Sequence, residues 1–127
     1  MRQSPITSKN FAQSLGFALA GLRYAYQSEP NFRRHTIITL TVLAAGGYFR
    51  LDGWEWVSIT GCIAFMIVTE LINTAVERWV DKFSHGEYDV TAGQVKDLSA
   101  GACLIAALGC ATIGALVFLP HILLLMH

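Results

Sequence analysis

The sequence predicts an all-α integral membrane protein: three transmembrane helices and an N-terminal amphipathic helix lying on the membrane surface. Three observations lead there. The 127 residues are 54% apolar and 14% charged, too little charge to cover a soluble globule, which usually carries about 25%. Charged residues cease altogether after Asp97. The acids that do enter an apolar stretch fall on one helical face. The balance of 9 Lys+Arg against 9 Asp+Glu excludes a basic nucleic-acid module, and a mean hydropathy of +0.46 excludes a disordered chain. The length fits one membrane domain over residues 1–127.

The surface helix is expected over about 9–28. Phe11, Leu15, Leu19, Leu22 and Tyr26 recur at spacings of three and four, with Ser8 as a plausible N-cap. Pro30 disfavours helix at Glu29, so a turn follows. These first residues lack the continuous apolar core of a cleavable signal peptide.

The first span is expected over about 33–50. Its uncharged core, 36–49, has only 14 residues, but Arg33, Arg34 and Arg50 flank it and can snorkel. The second, over about 54–83, contains a 21-residue stretch, 56–76, with one charge, Glu70. The third, over about 95–120, contains 22 uncharged residues, 98–119, before Pro120, enough to cross hydrocarbon as a helix. Its Gly, Ala, Ser and Cys content lets another helix come close. Eight of the 9 basic residues fall on one side of this arrangement, which the positive-inside rule makes cytoplasmic, together with the N-terminus. Tyr48, Phe49, Trp54 and Trp56 suit an outer aromatic belt, and Trp79 and Phe83 an inner one. Cys62, Cys103 and Cys110 have no metal-site spacing and read as small apolar residues. The four histidines are scattered, and each is expected to be solvated or interfacial.

Glu70, Asn73 and Glu77 stand at i, i+3 and i+7, within about 60° on one helix face, and Asp81 extends the row. A carboxylate in hydrocarbon costs at least about 2.5 kcal/mol and must face protein, water or a cation. Glu70 is therefore a functional candidate, the structural alternative being a partner on a neighbouring helix. Hard oxygen ligands suit Mg²⁺, which takes one or two carboxylates and completes its shell with phosphate oxygens and water. Glu29, on the same rim, can complete such a site with Glu77. Lys96 can meet a phosphate as a point charge, and Asp97 can cap the helix that follows. No phosphate loop, dinucleotide fingerprint or nucleophile elbow occurs.

ELINTAVERWVD at 70–81, with VKDLSAGACL at 95–104 and EPNFRRH at 29–35, resembles the prokaryotic diacylglycerol kinase family of small membrane lipid kinases. The likeness covers roughly residues 9–120. It implies a homotrimer in the bacterial inner membrane with its active sites at the cytoplasmic face, using MgATP and a lipid alcohol. It implies Glu70 as general base and Glu29 and Glu77 as the metal-binding pair. Phe17, Asn73, Glu87, Tyr88, Asp89, Lys96 and Asp97 match its nucleotide-site residues. Asn10 stands where Gram-negative members have a basic residue, and His35 where they have an acid. N-F-R-x-H and the late F-L-P are closer to the Gram-positive branch, which resembles undecaprenol kinases.

The expected reaction is phosphoryl transfer to undecaprenol, with diacylglycerol as the alternative acceptor. Rival classes are a proton-relay or transporter subunit in which Glu70 titrates, and a structural subunit without chemistry.

Overall fold

The computed structural model describes residues 10–84 and 89–126, and among them every regular element is helical. Four helices follow one another: α1 (Phe11–Ser28), α2 (Pro30–Phe49), α3 (Gly53–Phe83) and α4 (Val90–Leu125).

The cap of α1 is Asn10, whose side chain accepts from the Gln13 amide at 2.9 Å; the expected cap, Ser8, lies outside the described residues. Glu29, extended at φ −109°, ends α1 and opens α2. Helix α2 begins at Pro30 rather than at 33. Proline at the first helical position loses only an N–H that has no helical partner there. Arg33 lies one turn into α2 and donates from Nη1 to the carbonyls of Tyr26 (3.2 Å) and Gln27 (3.1 Å), closing the end of α1.

At its other end α2 stops at Arg50, whose φ of 54° is left-handed. Asp52 then starts α3 with a capping box: its carboxylate accepts from the Glu55 amide and its amide donates to Glu55, both at 2.9 Å. This tight turn brings Trp56 against Gly46, where an added Cβ would lie 2.7 Å from the indole.

Helix α4 is capped by Asp89, which accepts from the Ala92 amide at 2.7 Å. The cap is not Asp97, which is exposed within α4. The earlier acid takes the role because the helix starts at Val90 rather than at 95. It also runs through Pro120 to Leu125.

Helices α3 and α4, of 31 and 36 residues, are long and apolar enough to cross a membrane. At about 1.5 Å per residue each is longer than a hydrocarbon thickness of about 30 Å. These two helices form the main packed pair, α2 leans on α3, and α1 on α2. Little of this is a sealed core. Among the described residues Ala25, Phe32, Leu51, Ile59 and Ala106 are the buried apolar side chains, while Leu98, Ile105, Leu116 and Leu124 are each more than 70% exposed. Such outward hydrocarbon fits lipid or another subunit rather than water. The hydroxyls of Thr36, Thr41, Ser58, Thr69 and Thr112 all donate to carbonyls four residues back in their own helices, so they need no water.

Candidate active site

The polar row expected on α3 is present and turned inward. Glu70 is 5% exposed, and Asn73 and Thr74 are 8% exposed each. They are the only buried polar or charged side chains among the described residues. Burying three polar groups where Leu or Ala would pack is costly, so each needs a partner. Thr74 was not expected in the row, although its place one turn after Glu70 could have revealed it.

The partner of Glu70 comes from α2: His35 Nε2 stands 3.9 Å from Glu70 Oε2. His35, a quarter exposed, is turned toward the buried carboxylate by the crossing of α2 on α3. From α4 the Cys103 thiol faces Glu70 and donates to the Thr69 carbonyl at 3.4 Å. Among the described residues, no lysine or arginine pairs with Glu70.

One turn on, Asn73 Nδ2 donates to Glu77 Oε1 at 3.0 Å. Asn73 Oδ1 is buried with no hydrogen-bond partner. An orphan acceptor is uncommon in a folded chain and needs an explanation.

Glu29 is held by Arg78, which follows Glu77 on α3. Arg78 Nη2 donates to Glu29 Oε1 at 2.7 Å, and Ser28 Oγ adds a bond at 3.1 Å. The Arg78 hydrogen bond is the largest influence holding the Glu29 carboxyl below its ordinary range. The same guanidinium lies 5.1 Å from the centre of the Tyr24 ring, a cation–π distance. Beyond this cluster Lys96 Nζ donates to Asp81 Oδ1 at 2.8 Å, so α4 meets the last acid of the row.

The fold thus brings Glu70, Asn73 and Glu77 together on α3, ties Glu29 to that helix through Arg78, and ties Lys96 through Asp81. It leaves Phe17 and Asp97 exposed on α1 and α4, with no bond or ion pair joining them to the row among the described residues. Asp89 is engaged as a helix cap. Glu87 and Tyr88 lie outside the described residues. No three His, Cys, Asp or Glu side chains among the described residues converge as metal ligands.

An apolar cavity of about 320 Å³ runs between α2, α3 and α4. His35 and Met66, the latter one turn before Glu70, form the end nearest the carboxylate, and Phe118 lies at the other. A buried carboxylate therefore sits at the head of a hydrocarbon-lined space, with an amide and two further acids on its other side.

Residues 16–118 match the sequence profile of the prokaryotic diacylglycerol kinases. The chain belongs to the prokaryotic diacylglycerol kinase family. It is by membership a lipid kinase. It is 34% identical to a diacylglycerol kinase of Synechocystis over 92% of this chain and 67% of that protein. It is 35% identical to an undecaprenol kinase of Bacillus subtilis over 88% of this chain and 90% of that protein. It is 28% identical to a diacylglycerol kinase of Escherichia coli over 74% of this chain and 76% of that one. Membership in this kinase family disfavours the transporter-subunit expectation.

Proposed function

We propose that the chain transfers the γ-phosphoryl group of MgATP to undecaprenol, giving undecaprenyl phosphate, with Glu70 as the general base. The observation that carries this reading is the placing of Glu70: 5% exposed, on a membrane-length helix, beside an apolar cavity. A single long hydrocarbon chain suits such a space, and the resemblance to the Bacillus undecaprenol kinase covers nearly all of that protein. Diacylglycerol is the second reading, favoured by the name of the Synechocystis relative.

The donor set fits a magnesium-bound triphosphate. Glu77 supplies a carboxylate, Asn73 Oδ1 is an acceptor in want of a partner, and Glu29 supplies a second carboxylate once Arg78 is displaced. Two carboxylates with phosphate oxygens and water are an ordinary magnesium shell. Bound Mg²⁺ supplies charge neutralisation on the phosphates. Lys96 and Arg78 offset further negative charge, and Phe17, Glu87, Tyr88, Asp89 and Asp97 complete the nucleotide contacts. The lipid oxygen then attacks the γ-phosphorus as the bond to the bridging oxygen of ADP breaks. The hydroxyl proton passes to Glu70. Such transfer depends on positioning and charge compensation more than on covalent help from the protein.

Three spans follow if α2, with its 20 residues, crosses beside α3 and α4. The distribution of basic residues supports a cytoplasmic site and N-terminus in a bacterial inner membrane. We propose a homotrimer: an added Cβ at Gly101 or Gly109 of α4 would meet nothing within 4 Å, so a second subunit has small residues to pack on.

The test uses purified protein in detergent with radiolabelled MgATP, undecaprenol and diacylglycerol being offered separately. Label is expected mainly in undecaprenol, and in neither lipid with Glu70→Gln. No label in any lipid overturns the kinase reading; label mainly in diacylglycerol selects the second acceptor.

A further inference from the structure

The contact between His35 and Glu70 is neither closed nor absent. At 3.9 Å it lies beyond hydrogen-bond range, although Glu70 is buried and has no arginine or lysine beside it. Two groups this far apart can both bond one oxygen atom lying to the side of the line between them, at about 2.8 Å from each. His35 also lines the end of the apolar cavity nearest Glu70. The other lining side chains are hydrocarbon, thiol, thioether or the Thr39 hydroxyl, which leaves His35 as the one strong N–H donor there.

We propose that His35 and Glu70 form a two-point clamp for the acceptor hydroxyl, an assignment that rests on the kinase reading above. The lipid chain enters the cavity and brings its terminal hydroxyl alongside the two groups. His35, protonated at Nε2, donates to the hydroxyl oxygen, and the hydroxyl donates to Glu70 Oε2. Two fixed directions leave a lone pair of the oxygen free to meet the γ-phosphorus. As the new O–P bond forms and the bridging P–O bond breaks, the proton moves to Glu70 and ADP leaves. His35 keeps its own proton throughout. It binds and orients, and Glu70 alone accepts the proton. One donor matched to one hydroxyl also discriminates against lipids that lack a free hydroxyl, since both clamp groups would then be buried unpaired.

The test compares three variants in detergent with MgATP and undecaprenol. His35→Leu removes the donor, His35→Gln keeps an N–H at similar reach, and His35→Asn carries that amide one methylene too short. The Leu and Asn variants are expected to lose about 10- to 100-fold in kcat/KM for the lipid while KM for MgATP stays within twofold. The Gln variant is expected to recover most of the loss. Where the Leu variant does not fold, the contrast between Gln and Asn decides. Lipid kinetics within twofold of wild type in the Leu or Asn variant overturns the clamp. So does an equal loss in Gln and Asn accompanied by a shifted MgATP KM, the pattern of a purely structural residue. A wild-type protein that labels no lipid overturns the kinase reading itself. An active wild type with an inactive Glu70→Gln and an unaltered His35→Asn removes the clamp alone.

Discussion

Helix α3 carries two glutamates that each face a histidine from another helix, and the two pairs differ in kind. Glu55 Oε1 accepts from His121 Nε2 at 2.9 Å, and both side chains are 25% exposed. Glu55 also completes the capping box with Asp52, and the His121 ring lies 6.0 Å from that of Phe49. Each of its oxygens has a hydrogen-bond partner. Glu70 stands 3.9 Å from His35 with its side chain only 7% exposed, and beside it is the Cys103 thiol, a weak donor. The same two residue types thus close a helix end in one place and hold a polar gap open in hydrocarbon in the other. Distance, burial and remaining hydrogen-bond capacity separate the structural pair from the chemical one; residue type does not.

The sharpest way to break this contrast is to remove one carboxylate charge at a time. Glu70→Gln should lower kcat for lipid phosphorylation by about 10²- to 10⁴-fold, the range of a lost general base. Glu55→Gln should leave kcat within about threefold. Both are measured on folded protein purified in detergent. Equal losses would mean that the open gap at Glu70 has no bearing on the reaction. Next in size is Glu77→Gln, which should raise the magnesium concentration needed for half-maximal rate by at least about 10-fold while leaving thermal stability nearly unchanged. A magnesium titration at fixed ATP checks this, and an unchanged midpoint would remove Glu77 from the metal site.

Stability should show the reverse ranking. Gly46→Ala forces a methyl against the Trp56 indole at the Glu55 end, and overpacking of this kind costs about 1–3 kcal/mol. Glu55→Gln weakens the capping box and the His121 contact, at about 1 kcal/mol. Thermal unfolding in detergent should rank Gly46→Ala below Glu55→Gln, and Glu55→Gln below Glu70→Gln, because relieving a buried charge costs the fold little.

Much of this was legible from residue spacing. The uncharged lengths announced α3 and α4, and the i, i+3, i+7 spacing put Glu70, Asn73 and Glu77 on the face that is buried. Local starts were less legible. Proline at the first helical position moves the start of α2 to Pro30, and α4 takes Asp89 instead of Asp97 as its cap because its helix propagates further back. Least legible were the partners. His35 and Glu70, Arg78 and Glu29, and Lys96 and Asp81 meet only because helices pack, and no periodicity within one helix records which face of the next it meets. The His35 ring, expected to be solvated or interfacial, faces the buried carboxylate for that reason.

The smallest expected effect concerns the pair that ties Glu29 to α3. Its Arg78 partner holds the Glu29 carboxyl below the ordinary value of 4.5. A carboxyl depressed by folding adds stability that is fully present above its unfolded value and is lost as pH falls through the lower folded one. Without nucleotide, stability should therefore be flat from neutral pH down to about 4.5 with respect to this group and decline below that. The decline should be small, since Arg78 is half exposed and solvent screens the pair. Arg78→Leu should remove this component, seen as a shallower acid limb in unfolding experiments between pH 5 and 3, roughly the window of a depressed carboxylate. An identical acid limb in the variant would show that Glu29 gains nothing from Arg78. The same variant sharpens the contrast between the two pairs on α3. Freeing Glu29 from its arginine leaves a site carboxylate with only the Ser28 hydroxyl bonded to it, and without a cationic partner, as Glu70 already is without an arginine. If carboxylates without a lysine or arginine partner mark the chemical end of this molecule, magnesium should then act at a lower concentration than in the wild type.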